Sequence, residues 1–380
     1  MTVYLDWAAT TPLDPIVREE MLRYLGDDFG NAGSRTHRWG QLARQGVERA
    51  RDRIAAVVAA GRSEVIFTSG ATESNNLAIL GLAADATARH VVSTAIEHHA
   101  VLEPLDELRR RGFEIALVPP ERTGAVNADA VLSAVRPDTL LVSVMHANNE
   151  TGVLQPIAQI AEGLRQSAAF FHVDAAQTFG RELETLKHPR IDLISASAHK
   201  INGPKGVGAL IARRRHGARV PLRPLMFGGG QELGLRPGTM PVALIAGFGV
   251  AAELAASRAP SRLKRCRGFR DALVSGLAPL SPAFNGDIAL AVPYIINFSL
   301  PGIDSEVAID AWRDLVAVSN GAACTSQSYT CSHVLAAMGV PASQSDGALR
   351  FSWGADSPQP DWAALVAALE PHRLSRARGR

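Results

Sequence analysis

The chain has 380 residues, 47% of them hydrophobic and 20% charged, and its formal net charge is +2. This ordinary globular composition is large enough for two domains, and the small net charge argues neither for nor against a nucleic-acid partner. Three cysteines exclude a disulfide scaffold, the longest apolar stretch (242–252) is too short to cross a bilayer, and Asp6 interrupts the N-terminus, so we expect a cytoplasmic protein without a signal peptide.

The N-terminal third begins with an extended arm. Residues 1–14 contain Pro12 and are followed by Pro15, which favours extended backbone over helix. Helical patterns are predicted at 16–25 and 39–59.

Short β-type runs then alternate with helical stretches, which predicts a largely parallel α/β sheet. The predicted strands are 64–68, 90–93, 114–118, 140–145, 170–174, 191–195 and 207–211. A long helical pattern at 251–270 marks a change of organisation. We therefore expect a large domain at 15–255, and a small domain formed by 1–14 together with 256–380.

Polar clusters follow five of these strands, at 69–72, 98–99, 146–150, 174–177 and 195–200. In open α/β sheets, ligands bind beyond the carboxyl ends of the strands. The five clusters therefore predict one shared pocket.

Several residues in these clusters have both a chemical and an ordinary interpretation. If 195–200 is extended, Ser195, Ser197 and His199 share a face that suits a phosphate, and Lys200 points elsewhere, towards a carbonyl. A surface lysine is the ordinary alternative. Asp174 suits either the protonated nitrogen of a pyridine ring or a helix N-cap.

The turn at 69–72 places a glycine before a helix, whose N-terminal N–H groups suit a phosphate. His98 and His99 lack the neighbours that a zinc site needs, so we expect no metal; stacking on an aromatic cofactor or a surface pair remain open. Cys324 lies among small residues, which leaves a thiol accessible as a nucleophile, although a small buried side chain is the alternative. Cys266 and Cys331 are expected to be structural.

The ordered set of motifs resembles the cysteine desulfurases of the NifS/IscS type, long-loop group, within the class V aminotransferase family. The matching motifs are YLDWAATT (4–11), FTSGATES (67–74), EH (97–98), NNE (148–150), HVDAAQ (172–177), HK (199–200), GGGQE (228–232), RPGT (236–239), ACTS (323–326) and LRFS (349–352). The resemblance implies a pyridoxal-phosphate (PLP) enzyme of fold type I, with a seven-stranded mainly parallel sheet and a small α/β domain.

The resemblance also implies roles for the residues that match. Lys200 would carry the cofactor, His98 would stack on its ring and move protons, Asp174 would pair with the ring nitrogen, and Gln177 would donate to its phenolate oxygen. The implied phosphate ligands are Thr72, Ser197 and His199, with Thr239 lent by the second subunit of a homodimer.

Asn149 and Arg350 would hold the substrate carboxylate, and Cys324 would become a persulfide. Some positions depart from the family pattern: Trp7 replaces the common tyrosine or histidine, and Cys331 replaces a frequent proline. Because the segment after Cys324 lacks Gly and Pro, we expect an ordered loop that must swing towards the cofactor after cysteine binds.

The expected reaction converts L-cysteine to L-alanine and passes sulfur through Cys324 to an acceptor protein of iron–sulfur or sulfur-relay type. Overall likeness favours the DNA-phosphorothioation (DndA) branch. Another PLP reaction on the same fold, selenocysteine cleavage or aminotransfer, and a non-catalytic sulfur-transfer scaffold are the alternatives. We expect no membrane association and no direct nucleic-acid binding. The basic runs at 213–215 and near 376–380 suit an acidic partner or a solvated surface.

Overall fold

The computed structural model describes residues 2–320 and 332–377. Within them the strands are β1 (Val3–Tyr4), β2 (Val65–Thr68), β3 (His90–Thr94), β4 (Glu114–Val118), β5 (Thr139–Met145), β6 (Phe170–Asp174), β7 (Leu193–Ser197), β8 (Gly208–Ala212), β9 (Ala283–Phe284), β10 (Ile295–Ser299), β11 (Val316–Ala317) and β12 (Ala348–Ser352).

The helices of the same described residues are α1 (Pro15–Leu25), α2 (Arg38–Val57), α3 (Ala71–Asn76), α4 (His99–Arg110), α5 (Ala128–Ser133), α6 (Ile157–Gly163), α7 (Val242–Leu277), α8 (Ser305–Trp312), α9 (His333–Ala337), α10 (Ala342–Ser345) and α11 (Trp362–Ala377). Capping residues explain several starts. The Asp14 side chain accepts from the Ile16 N–H, and Pro15 occupies the first turn of α1, where its missing N–H costs nothing.

A seven-stranded sheet dominates the described chain, in the order β2-β8-β7-β6-β5-β3-β4. Strand β8 runs antiparallel to both of its neighbours, and the other pairs are parallel. Every residue of β2, β3 and β7 is buried, as expected of strands covered by helices on both faces. The predicted α/β class and the mainly parallel seven-stranded sheet are confirmed.

Helices α2 and α7 pack very closely on one side of this sheet. A Cβ added at Gly249 of α7 would lie 2.5 Å from the Ala50 Cα of α2, so only glycine permits this approach. The buried face of α2 includes Ala43, Val47 and Ile54. This close contact sets the distance between α2 and α7 in the helical layer on this side of the sheet.

A second, antiparallel sheet has the order β12-β10-β9 and its own hydrophobic core, which includes Trp312, Phe351 and Trp353. The N-terminal arm reaches this part of the molecule: β1 pairs in parallel with β11, and Asp6 forms a bridge with Ser352. Helix α7 contributes residues to the cores on both sides. The division of the chain into domains near residue 255 stays a prediction.

Helix α7 continues into a 3-10 turn, Ala278–Leu280, so that the helical stretch runs from Val242 to Leu280. Among the described residues, Val242–Leu280 alone has the length and composition of a membrane span, but 67% of its most apolar window is buried inside the protein. Burial of this kind is what a core helix shows.

Candidate active site

A cavity of about 540 Å³ opens at the carboxyl ends of the parallel strands. It lies where β2, β5, β6 and β7 end, and where the antiparallel strand β8 begins. Most of the site residues predicted from the sequence line it together: Thr72, His98, Asn149, Asp174, Gln177, Ser197, His199 and Lys200. The prediction that separate strand-end clusters form one pocket is therefore supported by the geometry of the fold.

Lys200 extends into this cavity from a short 3-10 turn, Ala198–Lys200, that follows β7. Its Nζ donates to the carbonyl oxygen of Ala9 at 2.9 Å and also to that of Ala8. The N-terminal arm thus holds the amine in place at the wall of the cavity. A positioned amine of this kind is what covalent attachment of a carbonyl compound requires.

Asp174 is the last residue of β6 and is buried. Its Oδ2 accepts from Asn75 Nδ2 at 2.7 Å, and its Oδ1 accepts from the Ala176 N–H at 2.9 Å. These two donors fix the orientation of the carboxylate. Asn75 also lines the cavity, and its buried Oδ1 has no hydrogen-bond partner among the described residues.

His98 is the N-cap of α4, and its Nδ1 accepts from the Ala100 N–H at 3.0 Å. This contact makes the neutral ring the tautomer with its proton on Nε2. Burial lowers the pKa of His98, while the Asp174 carboxylate acts in the opposite direction. The ring is therefore neutral at physiological pH and offers an Nε2–H donor.

Several residues of the cavity lining suit a phosphate. Thr72 lies in the first turn of α3, and Ser197, His199 and Lys205 line the same cavity. Burial, with help from the nearby Lys200 and Lys205, lowers the pKa of His199 to about 4, so its ring is neutral. Hydroxyl, imidazole and ammonium groups together match the donors that bind phosphate.

Strand β7 ends at Ser197 and the chain then turns, so the condition of an extended 195–200 segment is not met beyond Ser197. Ile201 N and Gly203 N both donate to the Ala198 carbonyl, which closes the turn. Ser195 also does not join the phosphate groups: its Oγ lies 2.9 Å from His172 Nε2, inside the sheet.

Gln177 lies in the loop after β6, with its side chain at the cavity wall. Its Nε2 donates to the Ala8 carbonyl at 3.1 Å. The main-chain carbonyl of Gln177 accepts a separate hydrogen bond from Tyr294 Oη at 3.0 Å. The side-chain amide therefore has one further N–H to give to a group inside the cavity.

Arg350 lies on β12, has only 1% of its surface exposed, and is not among the residues that line the cavity. Its Nη1 donates to the Asn149 carbonyl at 3.1 Å, its Nη2 forms an ion pair with Asp6 Oδ1 at 2.8 Å, and its buried Nε has no partner among the described residues. The structure thus brings Arg350 and Asn149 together, with Asp6 as an additional neighbour; their binding of the substrate carboxylate stays a prediction.

Thr239 and Cys324 are the remaining predicted site residues. Thr239 is exposed and does not line its own chain's cavity. Cys324 and the loop that was expected to be ordered lie within 321–331, outside the described residues.

The basic run at 213–215 is not a free patch. Arg213 is buried; its Nη1 donates to the carbonyls of His188 and Ile191 at 2.8 and 3.0 Å. Arg215 Nη1 donates to the Ala168 carbonyl at 2.9 Å. The prediction that this run docks an acidic partner is therefore wrong for Arg213, because its guanidinium is buried and donates to main-chain carbonyls.

Sequence reasoning missed Asn75, Lys205 and Asp6 as site residues. Asp6 belongs to a matched motif and Asn75 directly follows one, but a motif does not show which residues contact each other in the fold. Lys205 lies after a turn, and nothing in the sequence shows that the start of β8 returns to the same cavity.

The donor set fits PLP. The cavity lining provides an amine, a hydrogen-bonded carboxylate that suits a pyridinium nitrogen, a neutral imidazole, and donors that suit a phosphate. The unpartnered Asn75 Oδ1 marks a buried polar atom at this wall that a bound group can satisfy.

Comparison with known proteins also indicates a PLP-dependent family. The family model described as aminotransferase class-V matches residues 3–365. Cysteine desulfurase IscS of Klebsiella pneumoniae (strain 342) is 44% identical over 359 residues, which cover 93% of this chain and 88% of that protein.

Solved structures are similar over nearly the whole chain as well. A NifS-like protein has a TM-score of 0.88 at 35% identity, covering 99% of this chain and 100% of its own. DndA from Streptomyces lividans has a TM-score of 0.80 at 48% identity, covering 92% of this chain and 99% of its own.

Proposed function

The chain belongs to the class-V aminotransferase family, in its cysteine desulfurase branch, and on this premise we propose that it converts L-cysteine to L-alanine and transfers the sulfur through Cys324 to an acceptor. The observation that carries the proposal is the convergence of Lys200, Asp174 and His98 on one cavity. A non-catalytic scaffold has no need of this arrangement.

PLP, when bound, withdraws electrons from the α-carbon of an attached amino acid. Lys200 would hold it covalently, Asp174 would keep its ring nitrogen protonated, and Thr72, Ser197 and His199 would bind its phosphate. Asn75 supports this by holding Asp174 Oδ2 at 2.7 Å.

Proton transfer is divided between Lys200 and His98. Because His98 Nδ1 is occupied by the Ala100 N–H, the neutral ring presents a donor at Nε2. His98 would therefore act as a proton donor in this state, and the Lys200 amine would remove the substrate α-proton.

Asn149 and Arg350 would hold the substrate carboxylate. The guanidinium is already paired with Asp6, and its unpartnered Nε is available to a second anion. Arginine suits this task because its fork of donors matches a carboxylate.

In the sulfur step, the Cys324 thiolate attacks the substrate sulfur. The S–S bond forms, the Cβ–S bond of the substrate breaks, and its electron pair takes up a proton to give the alanine methyl group. Cysteine and the enzyme thiol thus become alanine and an enzyme persulfide without an external oxidant. The terminal sulfur then passes to an acceptor protein.

We also propose a cytoplasmic homodimer in which Thr239 of each chain completes the phosphate site of the other. The exposure of Thr239, and of the large apolar side chain of Phe227 at 89%, supports surfaces that a second chain covers. Similarity to DndA favours a role in DNA phosphorothioation, and similarity to IscS favours iron–sulfur assembly; labelling the acceptor with persulfide sulfur distinguishes them.

The test of the proposal uses Lys200→Ala. The variant should lose covalent attachment of the cofactor, seen as loss of the borohydride-reducible absorbance, and should release no alanine from cysteine. Arg267→Gln, an exposed change on α7, serves as the control. Normal alanine production by Lys200→Ala would refute the assignment.

A further inference from the structure

Residues 231–239, which include the matched RPGT motif and end at Thr239, are held to the rest of the chain at two points. We call this segment the strap. At the first point, the buried Glu232 accepts from the Phe67 N–H of β2 at 2.7 Å. The same carboxylate forms a bidentate ion pair with Arg51 of α2, at 2.7 and 2.9 Å. The start of the strap is therefore held against both β2 and α2.

The second point is an ion pair between Arg236 of the strap and Glu73 of α3. Arg236 Nε lies 3.1 Å from Glu73 Oε1, and the two side chains are only 24% and 15% exposed. The other carboxylate oxygen, Glu73 Oε2, accepts from the Ser69 N–H at 2.7 Å. Ser69 belongs to the turn 69–72, which lines the proposed cofactor cavity. Arg236 is thus joined, through one carboxylate, to the backbone of that turn.

The position of Glu73 matters for the electrostatics of a bound phosphate. Glu73 directly follows Thr72, a proposed phosphate ligand, and a carboxylate there repels an incoming phosphate. Salt screens this repulsion weakly, because the Glu73 side chain is mostly shielded from solvent. Among the described residues, Arg236 alone forms an ion pair with Glu73. Its guanidinium therefore offsets a negative charge that would otherwise lie beside the phosphate site.

We propose that Glu73 and Arg236 are positioning residues for the cofactor phosphate. Glu73 fixes the turn 69–72 through the Ser69 N–H, and Arg236 cancels the charge that Glu73 brings to the turn. Neither side chain is among the residues that line the cavity, so both act through the turn and not on the cofactor itself. The inference rests on the proposed function only in taking PLP as the group that is bound.

The first test compares PLP with pyridoxal, which has the same ring and aldehyde but no phosphate. Cofactor-free protein is titrated with each compound, and the absorbance of the bound ring gives the dissociation constant. Arg236→Gln should weaken PLP binding about tenfold, because one negative charge beside the phosphate is left uncompensated. Its affinity for pyridoxal should not change. Unchanged affinity for PLP, or equal weakening for the two compounds, would overturn the proposal.

Arg23→Gln is the matched control, because it also removes the arginine from an ion pair with a mostly buried carboxylate. Arg23 Nε lies 2.6 Å from Asp28 Oδ2, and neither residue lines the cavity. The control should bind PLP and pyridoxal as the wild type does. A loss of PLP affinity as large as that of Arg236→Gln would assign the effect to general destabilisation and count against the proposal.

A second substitution separates charge compensation from a purely structural role of Arg236. Glu73→Gln, added to Arg236→Gln, removes the uncompensated charge, while its amide oxygen still accepts from the Ser69 N–H. The double variant should recover PLP affinity to within about threefold of the wild type. Absence of recovery would mean that Arg236 contacts the phosphate directly or only supports the fold, and would reject the proposal.

Because the readout is affinity, the test separates this inference from the proposed reaction. Recovery in a protein that makes no alanine from cysteine would refute the proposed function and retain the positioning role. Absence of recovery in a protein that makes alanine normally would reject the positioning role and leave the proposed function standing.

Discussion

Ser332 Oγ donates a hydrogen bond to Glu150 Oε2 at 2.5 Å and accepts one from the Leu335 N–H at 3.1 Å. Ser332 is the first described residue after the segment that carries Cys324, and Glu150 follows Asn149 in the chain. On the other side of that segment, the Arg350 N–H donates to the Ser319 carbonyl at 2.7 Å. Both flanks are therefore tied to the residues that we propose for the substrate carboxylate.

The first prediction concerns this anchor. Ser332→Ala removes the donor to Glu150 and the cap of α9, and should slow persulfide formation about tenfold, because a hydrogen bond to a charged group contributes about 1.5–3 kcal/mol. Single-turnover alanine formation measures the rate. Asn127→Ala, which removes the cap of α5, is the matched control for stability. Equal rates in the two variants would show that the anchor has no role in sulfur transfer.

The second prediction concerns Asp174. Asn75→Ala leaves Oδ2 without its donor and should weaken PLP retention about tenfold, by the same hydrogen-bond argument. Equilibrium dialysis against PLP gives the dissociation constant. Asn76→Ala, whose side chain instead donates to the Thr72 carbonyl, is the neighbouring control. If both variants bind PLP equally well, Asn75 does not position Asp174.

These two contacts show the limit of sequence reasoning. The strand–helix alternation predicted the sheet, and the polar residues at strand ends predicted the cavity, because both follow from local periodicity and topology. The burial of Arg213 depends on contacts between distant segments, such as Arg213 with Leu186. Asp6 joins Arg350 across nearly the whole chain, and no local pattern shows such a pair.

The third prediction is a pH dependence of stability from Glu97. Its side chain is fully buried; Oε1 accepts from Thr94 Oγ1 and the Met145 N–H, and burial raises its pKa from 4.5 to about 8. Between these two values the native protein keeps a proton that the unfolded chain releases, so native stability falls as pH rises.

Glu97→Gln keeps the neutral state and removes this titration. Relative to the wild type, its free energy of unfolding should increase from pH 4.5 to about 8 and then level off. Urea unfolding at several pH values across that window measures the difference. A difference that does not change with pH would mean that Glu97 is ionised in the native protein.

The fourth prediction tests the homodimer. Thr239→Ala should weaken PLP retention by about 1.5–3 kcal/mol, because it would remove a hydrogen bond to the phosphate of the other subunit. Thr185→Ala, outside the cofactor cavity, should bind PLP normally. Light scattering should give twice the chain mass; a fully active monomer would contradict the shared site.

The central claim is that sulfur from cysteine is carried on Cys324. Peptide mass spectrometry after one turnover with L-cysteine measures this directly. We expect one additional sulfur atom on the peptide that contains Cys324, alanine in equal amount, and neither persulfide nor sulfide release in Cys324→Ser, although that variant still binds PLP. Additional sulfur on Cys266 or Cys331 alone, or sulfide release at the normal rate by Cys324→Ser, would contradict the account.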